Sequence, residues 1–233
     1  MIPLRDENPS QTTAGVTVAL IAVNVAAFVY ELMLGPDLRD FMLQWGTVPD
    51  RFVQALSGGG ESLVAAGLPL VTSMFLHGGW LHLIGNMWYL WIFGDNVEDR
   101  MGHTLYLIFY LAAGFVSGLL HVFFNPTTRL PAVGASGAIA GVLGAYLVAF
   151  PRARVITLVP LFPFFQVIAL PAVLMLGLWF VFQFFSGALS LAWSTGGGGG
   201  VAWWAHIGGF GFGAVAMLVF QGVRGRPSRA WTE

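Results

Sequence analysis

Residues 133–150 read Val133-Gly134-Ala135-Ser136-Gly137-Ala138-Ile139-Ala140-Gly141-Val142-Leu143-Gly144-Ala145-Tyr146-Leu147-Val148-Ala149-Phe150, a run without one charged side chain. A membrane-spanning helix needs about 20 mostly apolar residues, and this run comes close. Glycines at 137, 141 and 144 place small residues near one face, which lets another membrane helix approach closely. Ser136 lies at the start of the run, where burial in lipid gives a polar group few partners. Such a residue is by default a functional hypothesis.

Outward from this segment, five more apolar runs qualify as spans: 16–34, 80–97, 103–124, 167–189 and 202–222. Composition agrees. The 233 residues are 57% hydrophobic and 9% charged, with mean hydropathy +0.76, against about 25% charged residues in a soluble domain. The sequence therefore predicts an all-α polytopic membrane protein, a six-transmembrane-helix bundle. It forms a single domain over 1–233, with its core at about 14–222 and short cytoplasmic tails at both ends. A net charge of −1 gives no electrostatic case for nucleic acid. The absence of cysteine excludes disulfides, thiolate metal sites and cysteine nucleophiles. The first apolar run is too long for a signal-peptide core and reads as a retained span.

The connections differ in character. Gly35 to Pro69 is a long mixed segment holding Asp37, Arg39, Asp40, Arg51 and Glu61, with a turn at Ser57-Gly58-Gly59-Gly60. Arg152, Arg154 and the proline-broken run Val159-Pro160-Leu161-Phe162-Pro163 separate the fourth and fifth spans; five glycines, 196–200, lie between the fifth and sixth. Arginines set orientation, because cytoplasmic loops carry the excess. With the N-terminus inside, Arg5, Arg100, Arg152, Arg154, Arg224, Arg226 and Arg229 fall inside, and Arg39, Arg51 and Arg129 outside. Spans two, four and six then all run from outside to inside, with their first turns at similar depth.

Those first turns carry the reactive residues: His77, His82 and Asn86 near the second span, Ser136 in the fourth, His206 in the sixth. Serine becomes a nucleophile when a neighbouring base takes its proton, and histidine has a suitable pKa. Acyl transfer also needs donors for the developing oxyanion. His82 and Asn86, four apart on one helix face, and the Ser136 amide at a helix start can supply them. Asp95, Glu98 and Asp99 lie at the opposite end of span two, and Glu31 is only a remote orienter. The pair therefore reads as a Ser136–His206 dyad, its histidine held by packing. Gly209 and Gly213 in the sixth span match Gly137 and Gly141 in the fourth as contact positions. His77 reads as structural, His103 and His121 as interfacial, Glu98 and Arg100 as a structural pair at the membrane boundary. His77 and His82, five apart without a carboxylate, do not make a zinc site, and no metal or cofactor is expected.

The combination resembles the rhomboid family of intramembrane serine proteases. Gly134-Ala135-Ser136-Gly137 and the following Gly141 look like its GxSG motif, and Ala205-His206-Ile207-Gly208-Gly209 through Gly213 like its AHxxGxxxG motif. His77, His82 and Asn86 match HxxxxHxxxN, and Glu98-Asp99-Arg100-Met101-Gly102 resembles ExRxG. The resemblance implies an endopeptidase with Ser136 as nucleophile, His206 as general base and then acid, and Asn86, His82 and the Ser136 amide as oxyanion donors. Its partners would be the lipid bilayer and transmembrane segments of membrane-protein substrates, cut at unwound, helix-breaking sites. It implies that the 35–69 loop lies partly in the outer leaflet and that the fifth span with the glycine loop forms a gate. A compact chain suggests a prokaryotic cell membrane, with the active site toward the outer face. Oligomeric state is not indicated. Two departures stand out. Trp45-Gly46 replaces a Trp-Arg pair that some members carry in the first loop. Ala140 stands where some members place an aromatic against the histidine.

Overall fold

The computed structural model describes residues 1–161, 163–193 and 202–224. Six long helices occupy the six expected positions: α1 (Gly15–Met33), α6 (Trp80–Met101), α7 (His103–Phe124), α8 (Ser136–Ala149), α9 (Ala172–Trp193) and α10 (Trp203–Arg224). Between α1 and α6 lie four short helices, α2 (Leu38–Trp45), α3 (Pro49–Leu56), α4 (Leu63–Gly67) and α5 (Pro69–Thr72). Helices α1, α7, α9 and α10 are each long and apolar enough to cross a membrane; α6 qualifies together with Leu63–Phe75, from which it is bent by 79°. The fourth, α8, has 14 residues, about 21 Å at 1.5 Å per residue.

The short helix is the centre of the bundle. All residues from Gly137 to Tyr146 are buried, as expected of a helix that is apolar on every side. It packs most extensively on α10, then on α7 and α6, while α9 seats chiefly on α10. Glycines make the α8–α10 contact possible. A Cβ on Gly209 would lie 2.0 Å from the Gly137 carbonyl oxygen, one on Gly213 1.9 Å from that of Gly141, and one on Gly144 2.1 Å from that of Phe210. The two backbones touch, and α10 can take only one depth against α8.

The long first connection is a folded cap. Arg51 spans it, donating to both Glu61 carboxylate oxygens at 2.7 and 2.9 Å and to the Leu43 carbonyl at 2.5 Å. Thr47 pairs its backbone with Ala132 at 2.9 and 2.8 Å, and its hydroxyl donates to the Pro69 carbonyl at 3.0 Å. Arg51 and Thr47 thus supply internal contacts that the absent Trp-Arg pair left unassigned.

A three-stranded sheet departs from the sequence expectation. Strand β1 (Ile2–Asp6) pairs antiparallel with β2 (Arg154–Leu161), which pairs antiparallel with β3 (Phe164–Pro171). The sequence reading made the N-terminus a polar tail, 159–163 a broken connection, and 167 the start of the fifth span. Val155, Ile156, Thr157 and Val159 are β-branched and favour a strand, and Leu170 precedes Pro171, which disfavours helical backbone there. The fifth helix accordingly begins at Ala172. Phe164, Phe165 and Val167 on β3 are exposed.

The N-terminal segment is tied to α6 and to the C-terminal part of α8. Tyr146 donates its hydroxyl to the Asp6 carboxylate at 2.6 Å, Asn96 donates to it at 3.2 Å, Asn8 bonds the Asn96 side chain, and Trp88 donates to the Pro3 carbonyl at 2.6 Å. Glu98, fully buried, accepts the first-turn amides of α1 from Val16 and Thr17 at 2.8 and 2.7 Å and bonds His103 at 2.6 Å. A carboxylate at a helix N-terminus meets both the unpaired amides and the positive end of the dipole. Glu98 is structural, as the sequence suggested, but its partners are α1 and His103.

Burial pushes the Asp6 carboxyl up from its ordinary 3.8 to about 6, with nearby Asp95 adding to the rise and the Tyr146 hydrogen bond opposing it. A carboxyl raised on folding favours the folded state when protonated. Its contribution is complete below the unfolded value of about 3.8 and is lost as pH rises through about 6. Thermal unfolding in detergent should therefore show a midpoint that falls between about pH 4 and about pH 6 and levels off above that, and Asp6→Asn should flatten that fall. An equally steep fall in the variant would remove Asp6 as its source.

Candidate active site

Three helix starts and one loop build the site. Ser136 is the first residue of α8, and the loop leading to it is set by Gly134, whose φ of +125° favours glycine. The Gly134 amide donates to the Ser73 carbonyl at 2.8 Å, fixing the loop against the segment before α6. A Cβ on Gly134 would lie 2.6 Å from His82 Nε2 and 3.6 Å from Asn86 Nδ2. The bare glycine is what allows those two side chains to pack against the loop leading to Ser136.

His206, in the first turn of α10, places Nε2 2.8 Å from Ser136 Oγ. Its other nitrogen, Nδ1, lies 2.7 Å from Gln183 Oε1 on α9. His206 is 8% exposed and Gln183 6%, so their contact is shielded from solvent, while Ser136 is half-buried. Ser117 of α7 steadies the same turn by donating to the Ala205 carbonyl at 2.8 Å. It also occupies the space a Cβ on Gly137 would need, at 1.9 Å.

His82 and Asn86 of α6 lie beside Gly134. His82 Nδ1 accepts the Gly78 amide at 3.4 Å, so a neutral ring carries its hydrogen on Nε2, toward Gly134. Asn86 is buried, and its Nδ2 is without a hydrogen-bond partner among the described residues. A buried amide with nothing to donate to is costly.

The structure therefore brings together Ser136, His206, Asn86 and His82, and sets Gly134, Gly137, Gly141, Gly209 and Gly213 at the contacts that hold them. It sets Glu31 elsewhere. That carboxylate accepts the His77 amide at 3.2 and 3.3 Å and does not orient His206. His77 is 1% exposed and stacks edge-on to His82 at 5.2 Å, a packing position. Ala140 offers His206 no ring; Trp179 of α9 does, at 5.9 Å, with Trp203 at 6.5 Å. Gln183 is not among the residues expected from sequence, although a lone amide within an apolar span is itself a signal. The five glycines 196–200 of the expected gate, and Arg226 and Arg229 of the expected tail, lie outside the described residues.

Fold and site together define a multi-pass membrane protein with a serine–histidine pair, the serine half-buried and the histidine buried, near one end of its bundle. Residues 66–222, more than half of the chain, match the sequence model of the Rhomboid domain, and the chain belongs to the rhomboid family. Among its relatives is Presenilin-associated rhomboid-like protein A, mitochondrial, of Danio rerio, 36% identical over 148 residues, 58% of this chain and 39% of that protein. Rhomboid protein 1, mitochondrial, of Saccharomyces cerevisiae is 29% identical over 145 residues, 60% and 38% of the two chains. Rhomboid protease GluP of Bacillus subtilis is 34% identical over 148 residues, 62% and 28% of the two chains. The chain thus spans less than two fifths of the length of these relatives. Several relatives are mitochondrial by name, so they lend no support to the prokaryotic cell membrane expected from sequence.

Proposed function

We propose that this chain is a single-domain intramembrane serine endopeptidase that cleaves transmembrane segments of other membrane proteins with a Ser136–His206 dyad. The observation that carries this reading is the 2.8 Å contact between Ser136 Oγ and His206 Nε2. A serine in that contact can pass its proton to the imidazole as it attacks a carbonyl carbon.

The steps follow from the groups present. Ser136 Oγ attacks the scissile carbonyl while His206 Nε2 takes the hydroxyl proton. The oxyanion that forms lies toward Asn86 Nδ2, His82 Nε2 and the Ser136 amide, which are directed there before the reaction begins. His206 returns the proton to the leaving amine, and a water molecule, deprotonated by the same nitrogen, hydrolyses the acyl-enzyme. The arginine distribution supports a site toward the outer face. Because α8 is about 21 Å long and the hydrocarbon core is about 30 Å, Ser136 is recessed into the bilayer. A helical substrate hides its peptide bonds, so small or helix-breaking residues at the cleavage point should favour cutting.

The test uses the purified chain in detergent with a fluorophosphonate probe. Labelling should occur, mass spectrometry should find the adduct on Ser136, and His206→Ala should abolish it. A wild-type chain that neither labels nor cuts a model transmembrane substrate would overturn the reading.

A further inference from the structure

We propose that Gln183 is the positioning residue of His206, its amide oxygen holding the histidine in the tautomer that can act as a base. The inference deepens the protease reading and rests on it for its kinetic consequence. Its structural content, the tautomer of His206, can be measured without activity.

A neutral imidazole carries one hydrogen, and the bond made by one nitrogen decides the state of the other. Gln183 Oε1 is an acceptor 2.7 Å from Nδ1, so Nδ1 holds the hydrogen and donates it. Nε2 is then a lone pair facing the Ser136 hydroxyl at 2.8 Å. The reverse assignment, with the amide nitrogen toward Nδ1, would put the hydrogen on Nε2 and leave the serine without a base. One amide orientation supports chemistry and the other blocks it.

The surroundings of Gln183 point the same way. Helix α9 is otherwise apolar from Ala172 to Phe185, and its neighbours Phe182, Phe184 and Phe185 are exposed, at 62%, 45% and 67%. Gln183 alone turns inward as a polar group, to 6% exposure. Burying an amide without a partner is costly, so a buried glutamine in this helix needs an acceptor or donor, and His206 provides it. Trp179, one turn earlier on the same face, packs against the imidazole at 5.9 Å. The two side chains together fix both the edge and the plane of the ring. The titratable groups acting on His206 from the packed helices are His82 of α6 and His121 of α7, and α9 contributes none.

Two substitutions separate positioning from mere packing. Gln183→Met keeps length and apolar bulk but removes the acceptor; Gln183→Glu keeps the acceptor and adds charge. The first measurement is the ¹⁵N spectrum of His206 in the Ser136→Ala background, which needs no catalysis. With Gln183 present, the ring should be the Nδ1–H tautomer, and with Gln183→Met a mixture of both. Finding Nε2–H with Gln183 in place, or no change on Gln183→Met, overturns the proposal even if the enzyme is active.

The second measurement uses the active chain. Gln183→Met should lower kcat about ten- to a hundredfold, the loss for one buried hydrogen bond left unmade, with KM little changed. Gln183→Glu should restore most of kcat and move the acid limb of the pH profile to higher pH, since a carboxylate beside the ring stabilises its protonated form. Unaltered kcat in Gln183→Met, with the wild type still labelled at Ser136, overturns the positioning role and leaves the protease reading standing. Absence of labelling in the wild type overturns the protease reading instead, and the tautomer measurement still decides the role of Gln183.

Discussion

Ser136→Ala should lower the rate of cleavage of a transmembrane substrate by about 10⁵-fold or more. Loss of a nucleophile removes the covalent route altogether, and in serine proteases this effect is among the largest that single substitutions produce. His206→Ala should cost nearly as much, and the double variant little more than either, because the two residues act as one unit. Asn86→Ala should fall between, at about 10²–10³-fold, the range for loss of one oxyanion donor. Its Nδ2 makes no hydrogen bond among the described residues, so its removal should leave thermal stability nearly unchanged. Rates are read by gel densitometry of a reconstituted substrate, and stability by thermal unfolding of the same preparations. Substantial cleavage by Ser136→Ala would rule out Ser136 as the nucleophile, whatever the fate of the other variants.

Gly213→Ala should give the largest loss of stability from adding one carbon. The new Cβ would lie 1.9 Å from the Gly141 carbonyl oxygen and 2.6 Å from its carbon, and neither atom belongs to a side chain that can swing away. Helix α10 must move off α8. That separation forfeits packing along the contact and should destabilise the fold by about 3 kcal/mol or more, at the upper end of overpacking costs. Gly211 is the control. It is two residues away on the same helix, and a Cβ added there would have nothing within 4 Å. Gly211→Ala should be neutral or stabilising by up to about 1 kcal/mol, because alanine is the better helix former. The comparison is made by thermal unfolding in detergent, with cleavage measured below the transition. Activity should fall in Gly213→Ala even where it remains folded, since the same shift carries His206 away from Ser136. Equal midpoints for the two alanine variants would show that the α8–α10 contact is looser than its geometry indicates.

The helices were legible because lipid leaves few alternatives: long apolar runs with sparse charge become spanning helices. The Ser136 and His206 turns were legible too, since polar residues in such runs are rare enough to notice one by one. The strands were not. Val155 to Val159 is apolar and short, and a short apolar run is ambiguous between strand and helix until its flanks decide. Pro171 was the available clue, lying inside the run assigned to the fifth span. Glu98 was recognised as structural, but its partners Val16 and Thr17 are more than eighty residues away along the chain, and no local pattern announces such a contact. Gln183 shows the limit most clearly. Its residue type was visible, yet its importance depends on which face of α9 turns inward, and the apolar residues around it carry no strong periodicity to fix that face.

The contact between α8 and α10 is made by main chain, and this bears on how such a protein can change over evolutionary time. A distance set by side chains drifts with every substitution and must be retuned by compensating ones. Here the distance between Ser136 and His206 is gauged by carbonyl groups against the bare α-carbons of glycines, and it rests on those few positions. The lipid-facing residues, Leu178, Phe182 and Val215 among them, are free to be rewritten to suit membranes of different thickness and lipid content. A handful of glycines suffices to carry the spacing between Ser136 and His206 through that turnover.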